Sequence, residues 1–325
     1  MLATIGLLLV AIVASYALGS KWIAPDEVVR ALLGGADATS EGIVGGLRAS
    51  RTALGLLCGA ALGAAGVLMQ ALTRNPVADP GLLGVNAGAS LGVVAGIAVL
   101  GSVGVTAAIG FALVGAAVAT AAVFALATAR FAEASPVRLT LAGVAMAAVF
   151  SGAAQAIVVL DERVLDSFRF WQVGSLSARS IGDVGAPVII GVLVCLAGAV
   201  LLAPSLNALA LGDDSATALG VSPRAVRLAG LVVLTGLCAI ATALAGPISF
   251  VGLAVAHAAR LLVGPDHRVL LPLAILAGPA VLLLSDVLGR LIGLGAEVPV
   301  GIVTAFVGAP LLAVFVIGVR RRALA

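Results

Sequence analysis

Long uncharged runs recur from one end of the chain to the other, separated by short segments where charges or clusters of Gly and Pro gather. A bilayer core of about 30 Å is crossed by about 20 apolar residues in a helix. Cutting the chain wherever charges or Gly/Pro clusters interrupt the runs predicts ten spans, near 1–19, 52–72, 82–100, 104–129, 138–160, 184–203, 225–245, 248–263, 269–288 and 298–319. Two cuts rest on backbone breakers alone. Residues 81–129 carry no charge, so Gly101 and Gly104 must mark a turn, and Gly246–Pro247 must divide 225–263, leaving a short eighth helix. Either place could instead be a broken or re-entrant segment. The expected fold is all-α: a polytopic membrane protein of about ten helices, residues 1–325 forming a single domain.

Composition supports this reading. Of the 325 residues 62% are hydrophobic and 10% charged, with a mean hydropathy of +1.24, against the roughly 25% charged residues of soluble domains. The opening "MLATIGLLLVAIVASYALGS" has no basic leader and is expected to stay as the first span. Stretches such as "LCGAALGAAGVL" (57–68) are dense in small residues that let helices approach closely, so helix packing accounts for most of the 41 glycines. Cys58, Cys195 and Cys238 lie in apolar runs without C-x-x-C spacing and read as inert thiols. Lys21 is the only lysine and is flanked by Ser20 and Trp22, so the phosphate-loop pattern G-x-x-x-x-G-K-S/T is excluded.

Basic loops orient the spans. Arg320, Arg321 and Arg322 follow the last span, and with ten spans both termini are expected on the cytoplasmic side. Ten of the 18 basic residues then fall inside (Arg74, Arg130, Arg138, Arg224, Arg227, Arg260, Arg268 and the terminal three), as do five of the 15 acids. The spans hold few ionisable groups apart from Asp286 near the outer end of the ninth, which disfavours an ion-coupled secondary transporter. No ring of charges suggests a channel. His257 and His267 lack the partners of a metal or catalytic centre, so no catalytic or metal residue is assigned. Trp171 is expected to anchor at the membrane interface. Residues 211–223, "LGDDSATALGVSP", read as a short polar helix with a glycine exit on the cytoplasmic side, in a loop covering about 206–224. A neutral helix bundle must draw its energy from elsewhere, and this helix is the candidate coupling point.

Three further segments carry a resemblance: "LRASRTALGLLCGAALGAAGVLMQALTRNPVADPGLLGVNAGASLG" (47–92), "GPISFVGLAVAHAARLLVGPDHRVLLP" (246–272) and "SDVLGR…EVPVGIVTAFVGAP" (285–310). Together, in order and covering nearly the whole chain, they resemble the FecCD family, permeases of binding-protein-dependent ABC importers for ferric siderophores, haem and cobalamin. Ala256, where the family usually has Pro, and Leu311–Leu312, in place of a common aromatic, depart from its pattern.

The resemblance implies the type II ABC importer permease fold, in the bacterial inner membrane among lipid. It implies pairing with a second permease, identical or paralogous, and with two cytoplasmic ATP-binding subunits, and docking of an extracytoplasmic substrate-binding protein. No nucleic acid and no cofactor of its own are expected, ATP being used by the partner. "LNALALGDDSATALGVSPRAVRL" (206–228) matches the loop that docks into the ATPase, which assigns Leu211, Gly212, Asp213, Asp214, Ala218, Leu219 and Gly220 to coupling. Both aspartates would favour the helix start by offsetting its dipole. Arg48, Arg51 and Arg290 match positions that receive acidic residues of the binding protein, and Arg290 is also spaced for an i,i+4 pair with Asp286. "FRFWQVGSLSAR" (168–179) is similar to the outer gate segment of the siderophore permeases, which points to Phe170, Trp171, Gly174 and Ser175 and to a ferric siderophore as cargo, with haem or cobalamin as the alternative.

Overall fold

A computed structural model describes residues 1–19, 22–101, 104–128, 136–177, 180–293 and 297–310. Its helices, in chain order, are α1 (Leu2–Ala17), α2 (Pro25–Leu32), α3 (Ala38–Glu41), α4 (Ala49–Thr73), α5 (Val85–Leu100), α6 (Val105–Thr128) and α7 (Pro136–Leu160). They continue with α8 (Glu162–Gln172), α9 (Ala186–Ala210), α10 (Asp213–Ala218), α11 (Pro223–Ala245), α12 (Val251–Val263), α13 (His267–Ile292) and α14 (Val300–Pro310). A π-helical stretch, Gly42–Arg48, joins α3 to α4. Among the described residues, ten apolar helices (α1, α4 to α7, α9 and α11 to α14) fall on the ten expected spans. Arg320–Arg322 and the end of the last span lie outside the described residues.

The helices form a bundle around α4. In the apolar windows of the segment ending in α4 and of α11, 83% and 72% of residues are buried, against 28% for α6 and 22% for α7 and α9. The peripheral helices therefore leave most of their apolar residues outside the core of the bundle. The glycines of α4 explain its central place. Gly59 and Gly63 meet the main chain of α13 and Gly66 that of α12, so closely that a Cβ at these positions would lie 2.5, 2.3 and 2.1 Å from Pro279, Ala274 and Gly252. Small residues at such crossings gain van der Waals contact that larger side chains would forfeit.

Both breaker-only cuts are real helix ends. Gly101 stops α5 at φ +76, and Gly246, at the same φ, stops α11. With 16 and 13 residues, α5 and α12 extend only about 24 and 20 Å, less than the bilayer core. Their N-terminal ends meet at a cavity of about 460 Å³. There the Asp79 carboxylate accepts from the backbone of Gly81 (2.9 Å), Phe250 and Leu253, satisfying free donors at the start of α12. This non-helical backbone is enclosed in protein and lines a cavity, the setting in which such backbone is tolerated within a membrane.

Candidate functional sites

The sequence-predicted residues gather at the two ends of α4. At its C-terminal end lies α10. Gly212 (φ +111) leads into it and Gly220 (φ +78) leads out, both in backbone regions open to glycine. Ala216 is buried against the bundle, whereas Leu211 and Leu219 are 67% and 63% exposed, an apolar pair beside exposed Asp214 and Ala218.

The two aspartates part company. Asp213 faces inward, where Arg227 Nη2 donates to both of its oxygens at 2.9 and 2.8 Å and Arg74 Nη2 donates to Oδ1. Burial pushes the Asp213 carboxyl up, but hydrogen bonds and charge from Arg227 and Arg74 outweigh it and hold the group below the usual carboxylate range. The dipole role expected of both residues is thus overtaken, at Asp213, by ion pairing across the fold. Arg74 also donates to the Leu209 carbonyl at 2.7 Å, and Asn207, from the same end of α9, bonds Asp266 and His267 at the start of α13.

The N-terminal end of α4 carries Arg48 and Arg51, joined there by Arg290 of α13. All three are more than nine-tenths buried. Arg48 donates to the Tyr16 and Ala17 carbonyls (2.6 and 3.1 Å), and Arg290 to those of Ser15 and Leu18 (3.1 and 2.9 Å), so two guanidinium groups take up the open carbonyls at the end of α1. Arg290 Nε lies 3.1 Å from Asp286, the i,i+4 pair that the spacing predicts, as a charge contact without hydrogen-bond alignment. Arg51 grips both oxygens of Glu297. That hydrogen-bonded guanidinium, aided by the charges of Arg290 and Arg48, holds the partly exposed Glu297 below the usual carboxylate range. Glu297 thus already occupies the Arg51 guanidinium fork.

The described part of the segment expected to form the outer gate, residues 168–177, adjoins this cluster. The turn after α8 places Gly174 at φ +72, and Gly174 and Ser175 lie between the end of α11 and the start of α14. Ser175 N donates to the Ala245 carbonyl (2.7 Å), and Gly301 N to that of Gly174 (3.1 Å). A Cβ on Gly246 or Gly301 would lie 2.2 Å from the Trp171 or Val173 carbonyl, respectively. A cavity of about 210 Å³ joins Arg51, Glu297 and Asp286 to Ser175 and Ser177. Trp171 corrects an expectation: it is buried inside the bundle, its ring 5.6 Å from that of Phe168, rather than anchored at a lipid interface. Phe170 lies in α8, its side chain outside the described residues.

Sequence reasoning assigned nothing to Glu297 and counted Arg74 and Arg227 only toward orientation. The available signal was their charge in a chain that has so little of it.

A profile of the FecCD transport family matches residues 7–318. The chain is 48% identical to the ferric enterobactin transport system permease protein FepD of Escherichia coli, over 96% of this chain and 93% of that one. It is 39% identical to the cobalamin import system permease protein BtuC of Halobacterium salinarum, over 85% of this chain and 73% of that one. A metal-chelate type ABC transporter solved in an inward-facing conformation superposes with a TM-score of 0.84 at 28% identity, over 98% of both chains.

Proposed function

Because the chain belongs to the FecCD transport family, we propose that it is the transmembrane permease subunit of an ABC importer that carries a ferric siderophore into the cytoplasm, as a multi-pass protein of the inner membrane. The observation that carries the cargo class is the 48% identity with the ferric enterobactin permease along nearly the full length of both chains. A haem or cobalamin cargo is the second reading, favoured by the 39% identity with a cobalamin permease.

In this reading the α10 end of the bundle and both termini face the cytoplasm. Exposed Leu211 and Leu219 flank α10 with the apolar contact surface that a docking element needs, and two separate ATP-binding subunits hydrolyse the ATP. Arg48, Arg51 and Arg290 lie at the opposite end, the end that meets the substrate-binding protein, with Arg48 and Arg290 buried on the carbonyls of α1. Of the three, Arg51 is the group an acidic residue of that protein reaches, by exchange with Glu297. The second permease lies against α7, where exposed Ser151 and Gln155 border the larger cavity together with Asn86 and Gln172. Polar side chains of this kind suit an aqueous path between subunits and not lipid.

The test is uptake into liposomes holding this chain with its partners, ATP inside and ion gradients collapsed. ATP-dependent uptake of ferric siderophore, competed by neither haem nor cobalamin, is expected. Uptake that follows a proton or sodium gradient without ATP would overturn the proposal in favour of a secondary carrier.

A further inference from the structure

The coupling helix is a poor lever on its own. It has six residues and is joined to α9 and α11 through Gly212 and Gly220, both at positive φ, with their N–H groups bonded only to the nearby Leu209 and Thr217 carbonyls. Its chain connections lead only to α9 and α11. A displacement applied at Leu219, which lies between the two glycines, reaches α9 and α11 only as far as those joints are stiff, whereas Leu211 precedes Gly212 at the end of α9.

Asp213 supplies that stiffening. It is the first residue of α10, and its carboxylate is shared between Arg227, one turn into α11, and Arg74, which ends α4. Arg74 stands in the left-handed conformation (φ 48) that usually falls to glycine at a helix end. From there its guanidinium reaches both the Leu209 carbonyl at the close of α9 and Asp213. One carboxylate therefore ties the coupling helix to the ends of α4, α9 and α11, and Arg227 grips it through both oxygens. Asp214, next in sequence, is exposed.

We infer that Asp213 is a positioning residue, whose shared ion pair with Arg74 and Arg227 locks the coupling helix to α4 so that a push on α10 displaces the central helix of the bundle instead of turning α10 about its glycines. The inference rests on the reading of α10 as the ATPase-docking element.

The experiment measures substrate moved per ATP hydrolysed by the whole reconstituted importer, alongside retention of the ATP-binding subunits. Asp213→Asn and Arg74→Gln each remove the link from one side. Each should lower the ratio by roughly two- to thirtyfold, the range over which residues between coupled sites modulate coupling, with the ATP-binding subunits still bound. Asp213→Glu, which keeps the charge, should recover most of the ratio, and Asp214→Asn should be milder than Asp213→Asn. Asp26→Asn, which breaks an exposed ion pair with Arg30 on α2, should leave the ratio unchanged.

A wild-type ratio in Asp213→Asn, while replacement of residues 213–219 by Gly/Ser abolishes transport, would overturn the inference and leave the docking role of α10 standing. Normal uptake by the Gly/Ser replacement would sink that docking role itself. Loss of the ATP-binding subunits from Asp213→Asn, or failure of both Asp213→Asn and Arg74→Gln to fold, would also overturn it, since the pair would then serve assembly or stability and not transmission.

Discussion

At both ends of α4, arginines are set against carboxylates, yet the two groups work under different conditions. The N-terminal group sets three cations (Arg48, Arg51, Arg290) against two acids (Asp286, Glu297), mostly shut away from water and bonded to the carbonyls that end α1. The C-terminal group gives one carboxylate, Asp213, to two arginines at a partly open surface. Removing an ion from water costs several kcal/mol, so a buried group holds only while each member stays paired. Such a cluster locks helices together. A group screened by water adds about 1 kcal/mol or less, and what it offers instead is orientation. The difference teaches that similar pairs in one chain serve stability or positioning according to their burial.

The strongest way to break this comparison is to unpair the buried group. Asp286→Leu should cost about 3–5 kcal/mol of stability, because it strands the Arg290 charge beside Arg48 and Arg51. Adding Arg290→Met should recover part of that loss. Thermal unfolding in detergent measures both, and a double variant as damaged as the sum of two independent losses would show that the ion pair is not the unit.

Next in size is the connection between the two ends. Gly59→Leu forces a side chain into the main chain of α13 and should cost about 1–3 kcal/mol, read by the same unfolding assay. Little change would mean that α4 is held less tightly than its glycines suggest.

Asp213→Asn should lower stability by about 1 kcal/mol at most, while transport suffers far more. An unfolding loss as large as that of Asp286→Leu would erase the contrast between the two ends.

The smallest effect is on pH dependence. Asp213 and Glu297 both have carboxyls held below their usual range in the folded chain. A depressed folded value means that their stabilisation is fully present above the unfolded value near pH 4, and is lost as pH falls through the lower folded value. Stability should therefore be flat between neutrality and about pH 5 on account of these groups, and fall below about pH 4. The double variant Asp213→Asn with Glu297→Gln should show a shallower acid limb, and an unaltered limb would assign the acid loss to other carboxylates.

The ten apolar helices were legible, six of them in the described residues long enough to cross a membrane, because lipid imposes one rule on every segment: a run long enough and without charge must be a helix that satisfies its own backbone. Even the two glycine-marked breaks could be read, since a helix needs a residue that can leave αR where no charge ends it, and Gly101 and Gly246 do so. The short helix at 213–218 was visible for the opposite reason, as polarity between two apolar runs.

Pairing was not legible. Arg74 and Asp213 stand 139 positions apart and Arg51 and Glu297 stand 246 apart, and a charge carries no mark of its distant partner. Nor could sequence separate Asp213 from Asp214, identical neighbours of which one turns inward and the other outward, or see that Trp171 is covered by the bundle. By itself, then, the amino-acid sequence determined where the apolar helices run and the family they form, because hydropathy and backbone breakers act locally, but not the short outer helices α2, α3 and α8. Only the tertiary structure decided which charges meet and which stay wet, because Coulomb interaction and desolvation depend on distance and burial that exist only once the helices have packed.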